Sequence, residues 1–235
     1  MAAPGRAGRA HANSASAVAF DLDGTLIESE RRWEQARREV TESSGGRWHE
    51  RAQPEMMGLS TPEWIAYMHR ELAVPLSAEE IQRQVLERLE ASYREELPLI
   101  AGAREAVQEI GTRWPLAVAS SSPRRLIELV LELAGLAEAF AVVVSSAEVA
   151  RGKPAPDVYL RACELVGAEP AATVAIEDSG AGVRAAAAAG MPVVLIPGTE
   201  FPPDPGVLEQ ADIVLDSLAD LDAGAIERAV LARRR

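Results

Sequence analysis

Ala17-Val18-Ala19-Phe20 runs directly into Asp21-Leu22-Asp23-Gly24-Thr25. The apolar run to Leu22 reads as a short buried strand, and Asp-Gly punctuates the chain after it. Two carboxylates therefore stand at a strand's carboxyl end. A carboxylate such as Asp21 can attack phosphorus and form an acyl phosphate, splitting one difficult displacement into two easier ones. Two residues on, in a chain still extended, Asp23 lies on the same side. From there it can protonate a leaving oxygen and then activate water. A solvated turn is the plain alternative. A calcium loop is disfavoured, because the position where it needs a Glu holds Arg32.

Outward from this stretch, runs of strand length recur at Leu116 to Ala119, Ala141 to Val144, Thr173 to Ile176, Val193 to Ile196 and Ile213 to Leu215. Helical stretches such as Arg124 to Leu133, Asp157 to Val166 and Gly182 to Ala189 separate most of them. The alternation predicts an α/β fold: a Rossmann-like, doubly wound parallel sheet whose ligands bind beyond the carboxyl ends of the strands. Between Glu28 and Leu97 the texture changes to helical spacing, as in the stripe Ile81, Val85, Leu89 and Tyr93. The expected division is a disordered arm over residues 1–16, a core from 17–28 and 98–235, and a helical insertion over 29–97 that sits as a lid on the sheet's active end.

Four places just beyond expected strands hold polar residues suited to one chemistry. Asp21 and Asp23 are the first. Ser120 and Ser121 offer a hydroxyl and a backbone N–H at a helix start, a cradle for a phosphoryl oxygen, although Ser before Pro is also an ordinary cap. Lys153 is the sole lysine of a chain with 23 arginines. A compact ammonium fits between a carboxylate and a phosphoryl oxygen where a planar guanidinium does not. Glu177 and Asp178 could simply favour a helix dipole, but beside Asp21 they are hard oxygen ligands for Mg²⁺. In such a crowd one carboxyl is expected to hold a proton, and Asp23, as the acid, is the one expected.

Composition narrows the partners. A formal charge of −12 disfavours nucleic acid as a ligand. No apolar run approaches the roughly 20 residues of a membrane span. The single cysteine, Cys163, excludes an internal disulfide framework and fits a reducing compartment, so a cytoplasmic monomer is expected. Residues 1–16 lack an acidic residue and loosely resemble an organellar transit segment, but a Gly- and Ala-rich disordered arm is the simpler reading.

Asp-Leu-Asp-Gly-Thr, Ala-Ser-Ser-Ser-Pro, Gly-Lys-Pro-Ala-Pro-Asp and Ile-Glu-Asp-Ser-Gly-Ala-Gly-Val, in this order, resemble the four motifs of the haloacid dehalogenase-like superfamily. The helical insertion resembles the cap of its subgroup of β-phosphoglucomutase and sugar-phosphate phosphatases. The resemblance implies Asp21 as nucleophile, Asp23 as acid and base, Ser120 and Lys153 as phosphate ligands, and Mg²⁺ held by Asp21, the Asp23 carbonyl and Asp178, with Glu177 direct or through water. Asp23 argues against the dehalogenase branch, and a lysine-free insertion argues against the phosphonatase branch. The expected activity is hydrolysis of a small phosphorylated metabolite, with a sugar-phosphate mutase as the alternative. Mutases of the family typically carry a histidine where Trp33 stands. His49 and His69 are expected to be packing or surface residues. Trp33, Trp48, Trp64, Met56, Met57 and Met68 are expected to form mostly insertion core. Arg37, Arg47 and Arg94 could reach an anionic leaving group, though exposed helix arginines are the simpler expectation.

Overall fold

The computed structural model describes residues 14–198 and 205–234. Most of the expected arm, residues 1–13, lies outside them. Its last residues are held to the core: Ser16 N donates to Ala172 O at 2.7 Å, and the Trp114 indole donates to Ala15 O at 3.0 Å.

The chain runs through β1 (Ala17–Phe20), α1 (Glu30–Ser43), α2 (Ala52–Met56), α3 (Thr61–Arg70), α4 (Ala78–Glu95), α5 (Ala103–Gly111), β2 (Leu116–Ser120), α6 (Arg124–Ala134), β3 (Phe140–Ser145), α7 (Asp157–Val166), β4 (Thr173–Glu177), α8 (Gly180–Ala188), β5 (Val193–Leu195), α9 (Pro205–Leu208), β6 (Ile213–Val214) and α10 (Ala223–Ala232). All sheet pairings are parallel, in the order β3-β2-β1-β4-β5-β6. Strand order reverses between β1 and β4, which opens a crevice at their carboxyl ends.

Side-chain size alternates along the central strands and sorts the helices. Val18, Phe20, Leu116, Val118, Val174 and Ile176 face one apolar cluster, whereas Ala19, Ala117, Ala119 and Ala175 face the other, built with α7 and α8. The small residues let these two helices approach the sheet closely. On the bulky side the same apolar cluster continues into α1, α3 and α4 through Trp33, Val40, Trp64, Met68, Val85 and Tyr93. The stripe Ile81, Val85, Leu89 and Tyr93 is fully buried, as its spacing requires. At the start of α4 the Ser77 hydroxyl accepts from Glu80 N at 3.2 Å. Among the described residues, no helix is long and apolar enough to cross a membrane.

Candidate active site

β1 stops at Phe20, so Asp21 is the first residue past the strand, with its N–H still donating to Ile176 O at 2.9 Å. The chain then folds back at Gly24, where φ is +84°. A Cβ there would lie 2.0 Å from Asp178 Oδ2. Glycine is thus required for the left-handed backbone and for the room that Asp178 occupies.

Lys153 lies between β3 and α7. Its Nζ stands 2.6 Å from Asp21 Oδ1 and 2.6 Å from Glu177 Oε1, and 4.9 Å from the centre of the Tyr159 ring. Glu177, at the end of β4, has no exposed surface. Its Oε1 also accepts from the Tyr159 hydroxyl at 2.7 Å. Its Oε2 accepts from Asp178 N at 3.2 Å, Ser179 N at 3.3 Å and Ser179 Oγ at 3.1 Å. Gly182 makes the space: a Cβ there would sit 1.7 Å from Glu177 Oε1. Both Glu177 oxygens are therefore committed to the protein.

Carboxylate oxygens of Asp21, Glu177 and Asp178 lie within 4.8 Å of one another. One ammonium beside three carboxylates leaves negative charge uncompensated, and the donors are all hard oxygens. Such a set fits a hard dication, with Asp21 and Asp178 as its free ligands. The protonation pattern agrees. Burial raises Asp21 to about 7; Lys153 opposes the shift, while Glu177 and Asp23 add to it. Burial also raises Asp178 well above the usual carboxylate range, reinforced by Glu177 and Asp21. Lys153 is raised because, against burial, Asp21 and Glu177 hold its charge. Desolvation thus acts on Asp21 and Asp178 together.

Asp23 is partly exposed and faces the helical segment. Its Oδ2 accepts from Ser122 Oγ at 2.7 Å and from Ser120 Oγ at 3.3 Å, and its Oδ1 from the Trp33 indole N–H at 3.3 Å. Ser120 is fully buried and also accepts from Ser122 N at 3.0 Å, so its hydroxyl is turned towards Asp23. Ser121 lines the adjoining cavity of about 780 Å³, together with Asp21, Asp23, Lys153 and Asp178. Residues of the helical segment, among them Glu30, Pro54 and Met57, line it from the other side.

Tyr159 and Ser122 were absent from the sequence reading as site residues. Ser122 sits in the quoted Ser-Ser-Ser run, but nothing in the run says which hydroxyl reaches a carboxylate. Tyr159 is one turn into α7, and only the fold turns it towards Glu177. Arg37 departs from the exposed helix arginine expected: it is 5 % exposed, whereas Arg47 and Arg94 are exposed. His49 and His69 are partly buried packing residues, His49 against the Tyr67 ring and His69 with Nδ1 3.0 Å from Val74 O.

A family model of the haloacid dehalogenase-like hydrolases matches residues 15–190. Hexitol phosphatase B of Escherichia coli (strain K12) is 34% identical over 211 residues, covering 88% of this chain and 94% of the relative. The phosphorylated carbohydrates phosphatase of Thermotoga maritima is 34% identical over 176 residues, 74% of this chain and 82% of that protein. The crystal structure of CbbY from Rhodobacter sphaeroides in complex with phosphate superimposes with a TM-score of 0.80 at 32% identity, covering 88% of this chain and 96% of that one. The strand order, the four motif ends meeting in one crevice and these likenesses agree: the chain belongs to the haloacid dehalogenase-like family and is a phosphoric monoester hydrolase.

Proposed function

We propose that the chain is a Mg²⁺-dependent phosphatase of small phosphorylated sugars that works through an aspartyl-phosphate on Asp21. The observation that carries this reading is the meeting of Asp21, Lys153 and Asp178 at the wall of one cavity. Asp21 would attack phosphorus as the ester oxygen departs with a proton from Asp23. Water would then attack the acyl phosphate, giving its proton back to Asp23 and freeing Asp21 and inorganic phosphate. Lys153 and the Ser120–Ser121 turn would bind phosphoryl oxygens, with Ser121 the more open of the two serines. Asp21, Asp178 and the Asp23 carbonyl would hold Mg²⁺, which when bound offsets negative charge on the phosphoryl oxygens. Glu177 would serve as the fixed acceptor for Lys153 rather than as a ligand, since both its oxygens are taken.

The helical segment over 29–97 would act as a cap, covering the leaving group and choosing among substrates. Two of the similar phosphatases are named for a hexitol and for phosphorylated carbohydrates, which supports a phosphorylated carbohydrate as the substrate. Trp33 favours hydrolysis over transfer within one sugar, since an indole N–H donates to Asp23 where mutases of the family carry a histidine.

The test is phosphate release from a generic aryl phosphate and from a panel of sugar phosphates with Mg²⁺. Asp21→Asn should abolish release while leaving the circular dichroism and melting curve of a folded protein. Undiminished release by that variant would remove Asp21 from the reaction.

A further inference from the structure

Arg37 is the unexpected feature of the helical segment. Its guanidinium lies 4.7 Å from the centre of the Trp33 ring and 5.3 Å from that of Trp64, and the two rings meet edge to face at 6.2 Å. Nη1 donates to Gln53 Oε1 at 3.3 Å, while Gln53 Nε2 donates to Glu30 Oε2 at 2.7 Å. Arg37 Nε is buried and has no acceptor among the described residues. A charged group in that position loses hydration without full replacement, a costly arrangement unless something else supplies an oxygen. The two rings flank the guanidinium, and Nε is left as the N–H that wants an oxygen.

Beside it is a small cavity of about 70 Å³, which Asp23, Glu30, Trp33, Arg37 and Trp64 all line. Asp23 and Glu30 also line the larger cavity that holds Asp21 and Lys153, so the two spaces adjoin on the leaving-group side of Asp23. The small cavity therefore offers a cationic donor, carboxylate acceptors and two aromatic rings. Its charged lining is one guanidinium against two carboxylates. A second phosphate or a carboxylate placed there would meet as much repulsion as attraction. A neutral chain of hydroxyls would find acceptors and a donor, with ring surface for its C–H faces.

We infer that Arg37, flanked by Trp33 and Trp64, is a specificity-determining residue that takes a hydroxyl oxygen of an uncharged polyol leaving group. The site thereby selects sugar or polyol monophosphates over bisphosphates and phosphorylated carboxylic acids. This deepens the phosphatase reading and rests on it. Trp33 joins the two functions, because the same indole that supports Arg37 donates to Asp23.

The experiment compares kcat/KM of the wild type, with Mg²⁺, on a six-carbon polyol monophosphate, the bisphosphate of a sugar of similar length, phosphoglycolate, and an aryl phosphate lacking hydroxyls. The monophosphate should exceed both anionic substrates by at least about tenfold, the factor that one well-made hydrogen bond supplies. In Arg37→Met the polyol monophosphate should lose at least about tenfold, while the aryl phosphate stays within about threefold, because only the former has a hydroxyl for Arg37. Tryptophan fluorescence of Asp21→Asn titrated with the polyol monophosphate should change at saturation and should not respond to phosphoglycolate. A wild type that cleaves the bisphosphate or phosphoglycolate as well as the monophosphate overturns the inference and leaves the phosphatase reading standing. Equal losses on both substrates in a folded Arg37→Met do the same. Should that variant not fold, the wild-type comparison and the fluorescence titration decide alone. Failure to cleave any of the four would sink both.

Discussion

The buried carboxyls make stability itself a reporter of the candidate metal site. Asp21 has a pKa of about 7 in the folded chain without metal, against 3.8 as an ordinary aspartate, so the folded state binds its proton more tightly than the unfolded state. The contribution is fully present below the unfolded value and is lost as pH rises through the folded one. Over that window Asp21 alone corresponds to at most about 4 kcal/mol, at about 1.4 kcal/mol per pKa unit. Asp178 is raised well above the same ordinary value and Glu30 is also raised, both chiefly by burial, and each adds in the same direction. A dication between Asp21 and Asp178 replaces those protons, so its binding should strengthen over the same window. The assay is urea unfolding at constant ionic strength from pH 5 to 8.5, in chelator and in excess Mg²⁺. Metal-free stability should fall by a few kcal/mol towards pH 8, and the Mg²⁺-induced gain should grow with pH. Asp21→Asn should flatten the metal-free curve. A metal-free stability that stays level or rises from pH 5 to 8, or a Mg²⁺ gain independent of pH, would refute the reasoning.

Lys153→Met should destabilise the chain by about 3–5 kcal/mol in chemical denaturation, since it strands Asp21 and Glu177 in the interior, and should abolish phosphate release. Gly24→Ala should cost more than Gly45→Ala, because both glycines have φ near +83° but only the first would drive a Cβ into Asp178. The Gly45 variant should lose about 1 kcal/mol and keep its Mg²⁺ response, the Gly24 variant should lose that response, and matching melts of the two would contradict the account. Tyr159→Phe removes one donor to Glu177 and should cost about 1–2 kcal/mol while lowering kcat more than it raises KM, because Glu177 then holds Lys153 less firmly. Unchanged kinetics in Tyr159→Phe would make the tyrosine a packing residue only.

Much of the architecture was legible because parallel strands buried on both faces write themselves as apolar runs between helical stretches. β2 to β6 and α6 to α8 fall within a few residues of the expected positions. Asp21, Lys153, Glu177 and Asp178 were legible for a related reason: each ends or follows a strand, and strand ends in such a sheet meet. α5 and α10 were not singled out, although α5 is amphipathic and buries Ala103, Ala106, Val107 and Ile110. What the sequence could not convey was direction. Arg37 lies on the buried face of α1 with Trp33, Ala36, Val40 and Thr41, but its residue type suggested exposure, and Trp33 and Trp64 flank it. Glu177 and Asp178 are neighbours of identical charge, but the strand's alternation turns one inward to Lys153 and Tyr159 and leaves the other at the cavity. Ser120 and Ser121 likewise part company by one residue, one facing Asp23 and the other the open space.

Having a single ε-amine gives the chain an unusual chemical profile. Acylating or aldehyde reagents, which ordinarily decorate many surface sites, would find on the folded chain one side-chain target, and that amine is enclosed, protonated and held by two carboxylates. Side-chain adduct formation at Lys153 would then report on opening of the crevice itself, so its rate, followed by intact mass, becomes a direct clock for how often the phosphoryl site is laid bare.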